Sequence, residues 1–208
     1  GKAALDFLIK NSGNHVNLEV DFFGGEPLMN FDVVKQLVAY ARSVEGQYGK
    51  NFRFTLTTNG MLVDDDVIEF ANRECHNVVM SLDGRREIHD ASRRDYMNNG
   101  SYDKIVPKFQ KWAKAREGRE YYMRGTFTHA NVDFTNDIFH MADLGFTELS
   151  MEPVVCLFGS YAEEVRKLVE DLLLCFFFGH FVVHICSSLD NTVTSCISFI
   201  PKCIKIQH

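Results

Sequence analysis

The feature of this sequence that most constrains its fold is an alternation of two hydrophobic periods between residues 17 and 174. Short apolar runs typical of β-strands alternate with stretches in which apolar residues recur every three or four positions, as in amphipathic helices. The predicted strands are Asn17–Phe23, Phe52–Thr57, Asn77–Leu82, Tyr121–Thr128 and Thr147–Pro153, and the predicted helices are Asn30–Val44, Asp64–Arg73, Ser101–Arg116, Asp133–Leu144 and Tyr161–Leu174. Strands separated by helices favour right-handed βαβ units, so we expect an α/β fold with a parallel sheet, either doubly wound or a partial barrel.

Length, charge and cysteine content exclude several classes of protein. The chain has 208 residues, of which 46% are hydrophobic and 24% charged, enough for the core of one large domain. Its net charge of −6 argues against a nucleic-acid partner, which would need a basic face. Six cysteines are too few for a disulfide scaffold. The chain opens with Gly1 and reads as starting inside a domain.

The end of the chain differs in composition from the rest. Residues 172–208 contain four of the six cysteines but only three charged residues, and none of the cysteines forms a CxxC pair. The apolar run Leu172–Ile185 is shorter than the roughly 20 residues that a membrane-spanning helix needs, so we expect no membrane partner. His180, His184 and Cys186 offer only half of a zinc site. We therefore expect residues 175–208 to be an atypical tail, frameshifted or disordered, without a metal site.

Polar or glycine-rich residues occur at the ends of five consecutive predicted strands. They are Gly24-Gly25-Glu26-Pro27, Thr57-Thr58-Asn59-Gly60, Ser81-Leu82-Asp83-Gly84, Arg124 and Glu152-Pro153. In parallel α/β folds the carboxyl ends of the strands form the ligand site, so we expect these residues to lie at one edge of the sheet.

The chemistry of these residues suits a zwitterionic ligand that carries a ribose. Gly24 and Gly25 lack a Cβ, so a ligand can approach their backbone, and Glu26 can hold an ammonium group. The fork of Arg124 matches a carboxylate. The candidates for hydrogen bonds to sugar hydroxyls are Thr58, Asn59, Ser81 and Asp83.

Each motif alone also has an ordinary structural explanation. Gly-Gly, Asn-Gly and Asp-Gly are common in turns, and an arginine in a strand often pairs with a neighbouring acid. The functional interpretation therefore depends on the order and spacing of the whole set.

The ordered set DFFGGEPLMN, TTNG, SLDG with IHDASR, and RGTFT resembles the radical S-adenosylmethionine superfamily. It is most similar to the SPASM-containing peptide maturases, and among them to the maturases of six-cysteine (SCIFF) peptides, which form thioether cross-links. The likeness covers about residues 1–156. It implies a partial (β/α)6 TIM-like barrel whose first strand is missing from this chain.

The resemblance also implies which residues bind the cofactor. Gly24, Gly25, Glu26 and Pro27 match the motif for the amino group of the S-adenosylmethionine methionyl part. Thr58 and Asn59 match residues near its ribose, Ser81 and Arg124 match contacts to its carboxylate, and Asp83 lies beside the cofactor or substrate. His89 and Arg93 fit an HxxxR pattern, for which an ion pair of Arg93 with Asp90 or Asp95 is a structural alternative. The catalytic residues are unknown.

In this family a 4Fe–4S cluster cleaves S-adenosylmethionine reductively, and the resulting 5′-deoxyadenosyl radical abstracts hydrogen from a peptide carbon. A cysteine sulfur then closes the thioether. The implied partners are a ribosomally synthesised, cysteine-rich peptide and an electron donor such as ferredoxin or flavodoxin. A low-potential cluster implies the cytoplasm.

The sequence departs from the family at both ends. The family binds its cluster through CxxxCxxC upstream of GGEP, whereas no cysteine precedes Cys75 here. Cys75 is expected to be a buried or edge thiol. A cysteine-rich SPASM domain is expected after residue 156 but does not follow. We therefore expect a fragment without cluster ligands, inactive by itself, with a partial barrel at 1–156, an amphipathic helix at 157–174 and the tail at 175–208.

Two alternatives remain open at this point. One is a non-catalytic α/β module that binds the ligand without the chemistry. The other is a different radical SAM/SPASM reaction, such as sulfatase maturation or peptide epimerisation.

Overall fold

The structure is a computed structural model that describes residues 1–154 and 183–184. Its helices are α1 (Lys2–Asn11), α2 (Phe31–Tyr48), α3 (Asp65–Glu74), α4 (Arg86–Ser92), α5 (Tyr102–Ala115) and α6 (Thr135–Asp143). Its strands are β1 (Asn17–Phe22), β2 (Asn51–Thr58), β3 (Cys75–Ser81), β4 (Tyr122–Phe127), β5 (Leu149–Pro153) and β6 (Val183–His184). Two short 3-10 turns occupy Pro27–Asn30 and His129–Asn131.

The chain divides into two compact units, the first of which takes Gly1–Ser81 and Lys104–Tyr122. Within it β1, β2 and β3 follow one another as parallel neighbours. Alternate residues of β2 are buried and apolar, namely Phe52, Phe54 and Leu56. Arg53 and Thr55 between them are only partly buried. This period of two gives the sheet one face covered by helices and one polar face.

The second unit takes Leu82–Asp103 and the described residues from Met123 onward. Here β4 pairs in parallel with β5, and β5 with β6. Met123, Phe127 and Met151 are buried, whereas Arg124 and Glu152 are half-buried. The same alternation therefore places the charged residues of β4 and β5 on the face opposite the core.

A buried arginine at the end of α5 links three elements of the first unit. Arg116 is fully buried, and its guanidinium donates to the backbone carbonyls of Ala71, His76 and Glu120 at 3.4, 2.8 and 2.6 Å. Burial lowers its pKa to about 10, so it stays charged at neutral pH. A cation at the last carbonyls of α3 also opposes the negative end of that helix dipole.

The structure confirms the α/β class, and in residues 1–154 the predicted elements occur in the predicted order with differences at some boundaries. Helix α2 runs to Tyr48, beyond the predicted Val44, and ends where Gly49 adopts a left-handed conformation. Strand β3 begins at Cys75, directly after α3, rather than at Asn77. The short helix α4 was not predicted, because seven residues hold too few apolar positions to show a period.

The expectations for the end of the chain lie outside the described residues. They concern the helix at 157–174 and the tail at 175–208, from which only β6 is described. In the part of the chain that the structure describes, no helix is long and apolar enough to cross a membrane.

We predict that Gly60→Ala destabilises the fold by about 1–3 kcal/mol, as expected for overpacking. Gly60 has φ +82°, and a Cβ there would lie 2.4 Å from Cζ of Phe109. Gly46→Ala in α2 is the matched control, because a Cβ there meets no described atom within 4 Å and alanine favours a helix. Urea unfolding of both variants tests this, and equal midpoints would contradict it.

Candidate functional site

The glycine loop after β1 presents its backbone to open space. Gly24 and Gly25 have φ of +92° and +59°, a region that favours glycine. A Cβ built at either position would meet no described atom within 4 Å. The loop can therefore accept a ligand directly against its backbone.

Glu26 fastens this loop to the end of β2. Its Oε1 accepts hydrogen bonds from the Thr58 hydroxyl at 2.8 Å and from the Leu28 backbone N–H at 3.1 Å. Its Oε2 accepts from the Asn59 N–H at 2.7 Å. The structure thus brings the GGEP and TTNG motifs together, as the sequence predicted for one edge of a sheet. Pro27 starts the 3-10 turn that follows.

The TTNG residues use much of their hydrogen-bonding capacity inside the protein. Thr58 is only 1% exposed, and its hydroxyl also accepts a hydrogen bond from the Gly60 N–H at 3.1 Å. The Asn59 Oδ1 accepts from the Met61 N–H at 3.0 Å. Contacts of Thr58 and Asn59 to a ribose stay a prediction. Ser81, the last residue of β3, is half-buried, and its contact to a carboxylate likewise stays a prediction.

In the second unit, Asp83 is a buried carboxylate with several donors. It accepts from the Arg93 Nε at 2.6 Å and from a second Arg93 nitrogen at 3.0 Å. The Thr126 N–H and hydroxyl donate to it at 2.9 and 3.0 Å. Burial opposes its charge, but the hydrogen bonds and charge of Arg93 outweigh burial and hold the pKa of Asp83 below its ordinary value. Its predicted place beside a cofactor or substrate stays untested.

The structure realises neither partner named in the structural alternative for Arg93. That alternative was an ion pair with Asp90 or Asp95, but Arg93 pairs with Asp83. The Asp90 carboxylate instead accepts from the Tyr102 N–H, and the Asp95 carboxylate accepts from backbone N–H groups of its own loop. Ten residues separate Asp83 from Arg93, too far for a local pattern to show their contact.

His89 completes the same buried network. Its Nδ1 accepts from the Asp83 N–H at 3.3 Å, and its Nε2 lies 2.9 Å from the Ser101 hydroxyl, which donates to the Arg93 carbonyl. Burial lowers the pKa of His89 to about 4, so the ring is neutral. His89 and Arg93, four residues apart across the end of α4, therefore both hold the SLDG loop.

The loop in turn fixes β4. The Leu82 N–H donates to the Arg124 carbonyl at 3.0 Å, and the Asp83 carboxylate accepts from the N–H of Thr126, two residues further along β4. A Cβ on Gly125 would lie 2.4 Å from the Met151 sulfur and 2.8 Å from the Leu82 carbonyl oxygen. The backbone on both sides of Arg124 is therefore held closely.

Arg124 itself forms an ion pair with Glu152. One guanidinium nitrogen lies 2.5 Å from Oε2 of Glu152, and the two side chains are 34% and 27% exposed. The structural alternative for a strand arginine, an acidic neighbour, is thus realised. The predicted role in binding a carboxylate is not tested by this contact.

A second set of contacts, which no sequence pattern indicated, also holds the SLDG loop. Arg85 donates to the fully buried carboxylate of Asp137 at 2.8 Å and pairs with Asp133 at 2.9 Å. Gly84, at φ +116°, leaves room for Asp137, whose Cβ would lie 2.2 Å from a Cβ at that position. An acidic residue in an amphipathic helix is normally expected on the surface, so the sequence did not indicate the buried contact between Asp137 and Arg85.

Cys75 is a buried free thiol, 4% exposed, which is the first of the two placements, buried or edge, expected from the sequence. Burial raises its pKa to about 12, which leaves it protonated at neutral pH and a poor metal ligand. Among residues 1–154 and 183–184 there is no group of three histidine, cysteine or acidic side chains that could hold a metal ion.

Comparison with known families shows the superfamily to which the chain belongs. The family model described as the Radical SAM superfamily matches residues 11–126, more than half of the chain. The chain belongs to this superfamily. The match includes the GGEP, TTNG, SLDG and Arg124 positions.

This radical SAM chain is similar to proteins of different activities. It is 30% identical over 105 residues to a cysteine-type anaerobic sulfatase-maturating enzyme of Clostridium novyi, covering 49% of this chain and 28% of that protein. It is 26% identical over 166 residues to the radical SAM cyclopropyl synthase TigE of Paramaledivibacter caminithermalis, covering 76% and 33%. The chain thus spans about a third of the length of these relatives.

Solved structures show the same fold. The structure matches native anSMEcpe with bound AdoMet and Kp18Cys peptide at a TM-score of 0.75 and 18% identity, covering 89% of this chain and 54% of that chain. It matches Streptococcus suis SuiB bound to S-adenosylmethionine at 0.59 and 13% identity, covering 88% and 40%. The predicted α/β fold, a partial TIM-like barrel of the radical SAM type, is confirmed.

S-adenosylmethionine and a 4Fe–4S cluster are the cofactors of this superfamily. The open backbone of Gly24 and Gly25, with the Glu26 carboxylate beside it, fits the approach of a ligand with an ammonium group. The thiolates for a cluster do not lie in residues 1–154, where Cys75 is the sole cysteine.

We predict that His89 makes stability depend on pH. Because its pKa is about 4 in the folded chain and near 6.5 when unfolded, the unfolded chain takes up a proton first as the pH falls. The free energy of unfolding is expected to drop by about 3 kcal/mol between pH 6.5 and pH 4. Urea titrations across this range measure it. His89→Gln, whose amide can accept and donate but does not titrate, should flatten the slope, and an unchanged slope would refute the assignment.

Proposed function

We propose that this chain is part of a radical SAM enzyme that acts on a ribosomally synthesised peptide and, in its complete form, makes thioether cross-links. The observation that carries the proposal is the Glu26 contact, which joins the open glycine loop to Thr58 and Asn59 within the superfamily's own motifs. A solved structure of the same fold holds both AdoMet and a peptide, which supports a peptide substrate.

The protein's own part is to bind and orient. Gly24 and Gly25 admit the methionyl end of S-adenosylmethionine to their backbone, and Glu26 receives its ammonium group. Arg124 receives its carboxylate, with Ser81, Asn59 and Asp83 near the ligand. Bound beside a reduced 4Fe–4S cluster, S-adenosylmethionine would supply the radical chemistry needed to remove hydrogen from the peptide.

The chain implies further partners in the complete protein. A cluster at low potential needs an electron donor such as ferredoxin or flavodoxin, and we propose the cytoplasm as its compartment. The peptide would be rich in cysteine, because the thioether consumes a thiol.

Sulfatase maturation is the second candidate, favoured by the similarity to sulfatase-maturating enzymes. The two reactions leave different products, which mass spectrometry of peptides treated with the complete enzyme distinguishes. A thioether removes two hydrogen atoms and blocks a thiol while keeping its sulfur. Oxidation of a cysteine to an aldehyde loses the sulfur. Loss of sulfur without cross-linking would reject the thioether proposal.

We predict that Arg124→Ala weakens S-adenosylmethionine binding to the complete, cluster-loaded protein by roughly 1.5–3 kcal/mol, the range of a charged hydrogen bond. Isothermal titration measures this. Arg94→Ala is the control, because Arg94 is exposed and its Nε donates to the Asp90 carbonyl. Equal affinities of the two variants would reject the role of Arg124 in binding the carboxylate.

We predict that the isolated 208-residue chain binds no stoichiometric 4Fe–4S cluster after anaerobic treatment with iron and sulfide. Cys75→Ala in the complete protein should leave iron content unchanged, because the thiol is buried and protonated. Iron and sulfide assays measure both. A loss of iron would show that Cys75 is a ligand. If the complete protein also binds no cluster, the non-catalytic binding module becomes the better reading.

A further inference from the structure

Arg124 and Glu152 lie on neighbouring parallel strands of the second unit. Thr126 is opposite Glu152, and Arg124 is opposite Ser150, so the two charged residues form a diagonal pair across β4 and β5. Residues two apart in a strand share one face, which places both side chains on the polar side of the sheet. Their contact is a direct ion pair of 2.5 Å.

This pair is partly hydrated. Its side chains are 34% and 27% exposed, so water reaches both charges and screens their attraction. Ion pairs in such surroundings contribute little net stability, and another carboxylate can therefore take the place of Glu152 at small cost.

The backbone that carries Arg124 and Glu152 is held in place, in contrast to their side chains. Gly125 packs against the Met151 side chain, and the N–H of Thr126 is held by the Asp83 carboxylate. Replacement of Glu152 at Arg124 can therefore proceed by rotation of the Glu152 side chain, while the strands stay in place.

We propose that Glu152 is the resident counter-ion of Arg124, and that the carboxylate of an amino-acid-bearing ligand displaces it. The inference rests on the proposed function, because it takes Arg124 as the group that receives the carboxylate of S-adenosylmethionine. Glu152 then lowers the affinity for such a ligand, both by occupying the guanidinium and by placing a like charge beside the incoming carboxylate. A nucleoside without a carboxylate meets no such competition.

Glu152→Gln tests the proposal, because the amide keeps the shape of the side chain and removes its charge. Isothermal titration with the complete, cluster-loaded protein compares S-adenosylmethionine with 5′-deoxyadenosine, which lacks the amino-acid part. We expect S-adenosylmethionine to bind about two- to fivefold more tightly to the variant, the range that exposed ion pairs span. The affinity for 5′-deoxyadenosine should not change.

Two further variants keep the result interpretable. Glu152→Asp, whose shorter side chain draws the carboxylate back from Arg124, should also tighten binding, and it serves if the glutamine variant folds poorly. Glu69→Gln on α3 removes one exposed acid elsewhere and should alter neither affinity. Urea unfolding of each variant establishes that it is folded.

The outcomes separate this inference from the proposed function. Suppose that Glu152→Gln leaves S-adenosylmethionine binding unchanged or weaker, while Arg124→Ala still weakens it. This result overturns the counter-ion role of Glu152 alone. If Arg124→Ala leaves the affinity for S-adenosylmethionine unchanged, Arg124 does not bind the carboxylate, and the inference fails as well. If Glu152→Gln tightens binding equally in the Arg124→Ala background, or tightens 5′-deoxyadenosine as well, Glu152 acts independently of Arg124 and the inference is rejected.

Discussion

The buried ion pair between Asp83 and Arg93 is the contact on which the candidate site in the second unit depends. A charge removed from water must be paired and hydrogen-bonded, and Asp83 meets this need through Arg93 and Thr126. Its carboxylate accepts from the Thr126 N–H of β4 as a neighbouring strand would, two residues after Arg124, whose carbonyl accepts from the Leu82 N–H. The side chain of a loop residue thereby sets where the strand carrying Arg124 lies.

Glu26 follows the same principle in the first unit. It is read from the sequence as a ligand group, yet its two oxygens already accept from Leu28, Thr58 and Asn59. A carboxylate oxygen has more than one lone pair, so internal hydrogen bonds and an ammonium partner are compatible. Fixing the carboxylate before a ligand arrives also reduces the entropy that binding must overcome.

The hydrophobic periodicity was enough to predict the order of strands and helices from β1 to β5, because most of these elements are long and have one apolar face. It failed for α4, which is short and begins at Arg86 without a side-chain cap from the preceding Arg85. The motifs predicted which residues gather at Glu26, since carboxyl ends of parallel strands meet. They could not predict that Arg93 binds Asp83 or that Arg85 binds Asp137, because contacts across ten or more residues depend on the completed fold.

Two ion pairs in the second unit differ in a way that bears on the partner exchange proposed for Arg124. Arg93 and Arg124 are almost equally exposed, at 30% and 34%, so the exposure of the arginine does not distinguish the two pairs. Their partners differ: Asp83 is 4% exposed and Glu152 is 27% exposed. Releasing Arg93 would leave a buried charge without compensation, whereas a released Glu152 is rehydrated. The burial of Asp83 and the exposure of Glu152 are therefore the physical reason to propose the exchange for Arg124 and not for Arg93.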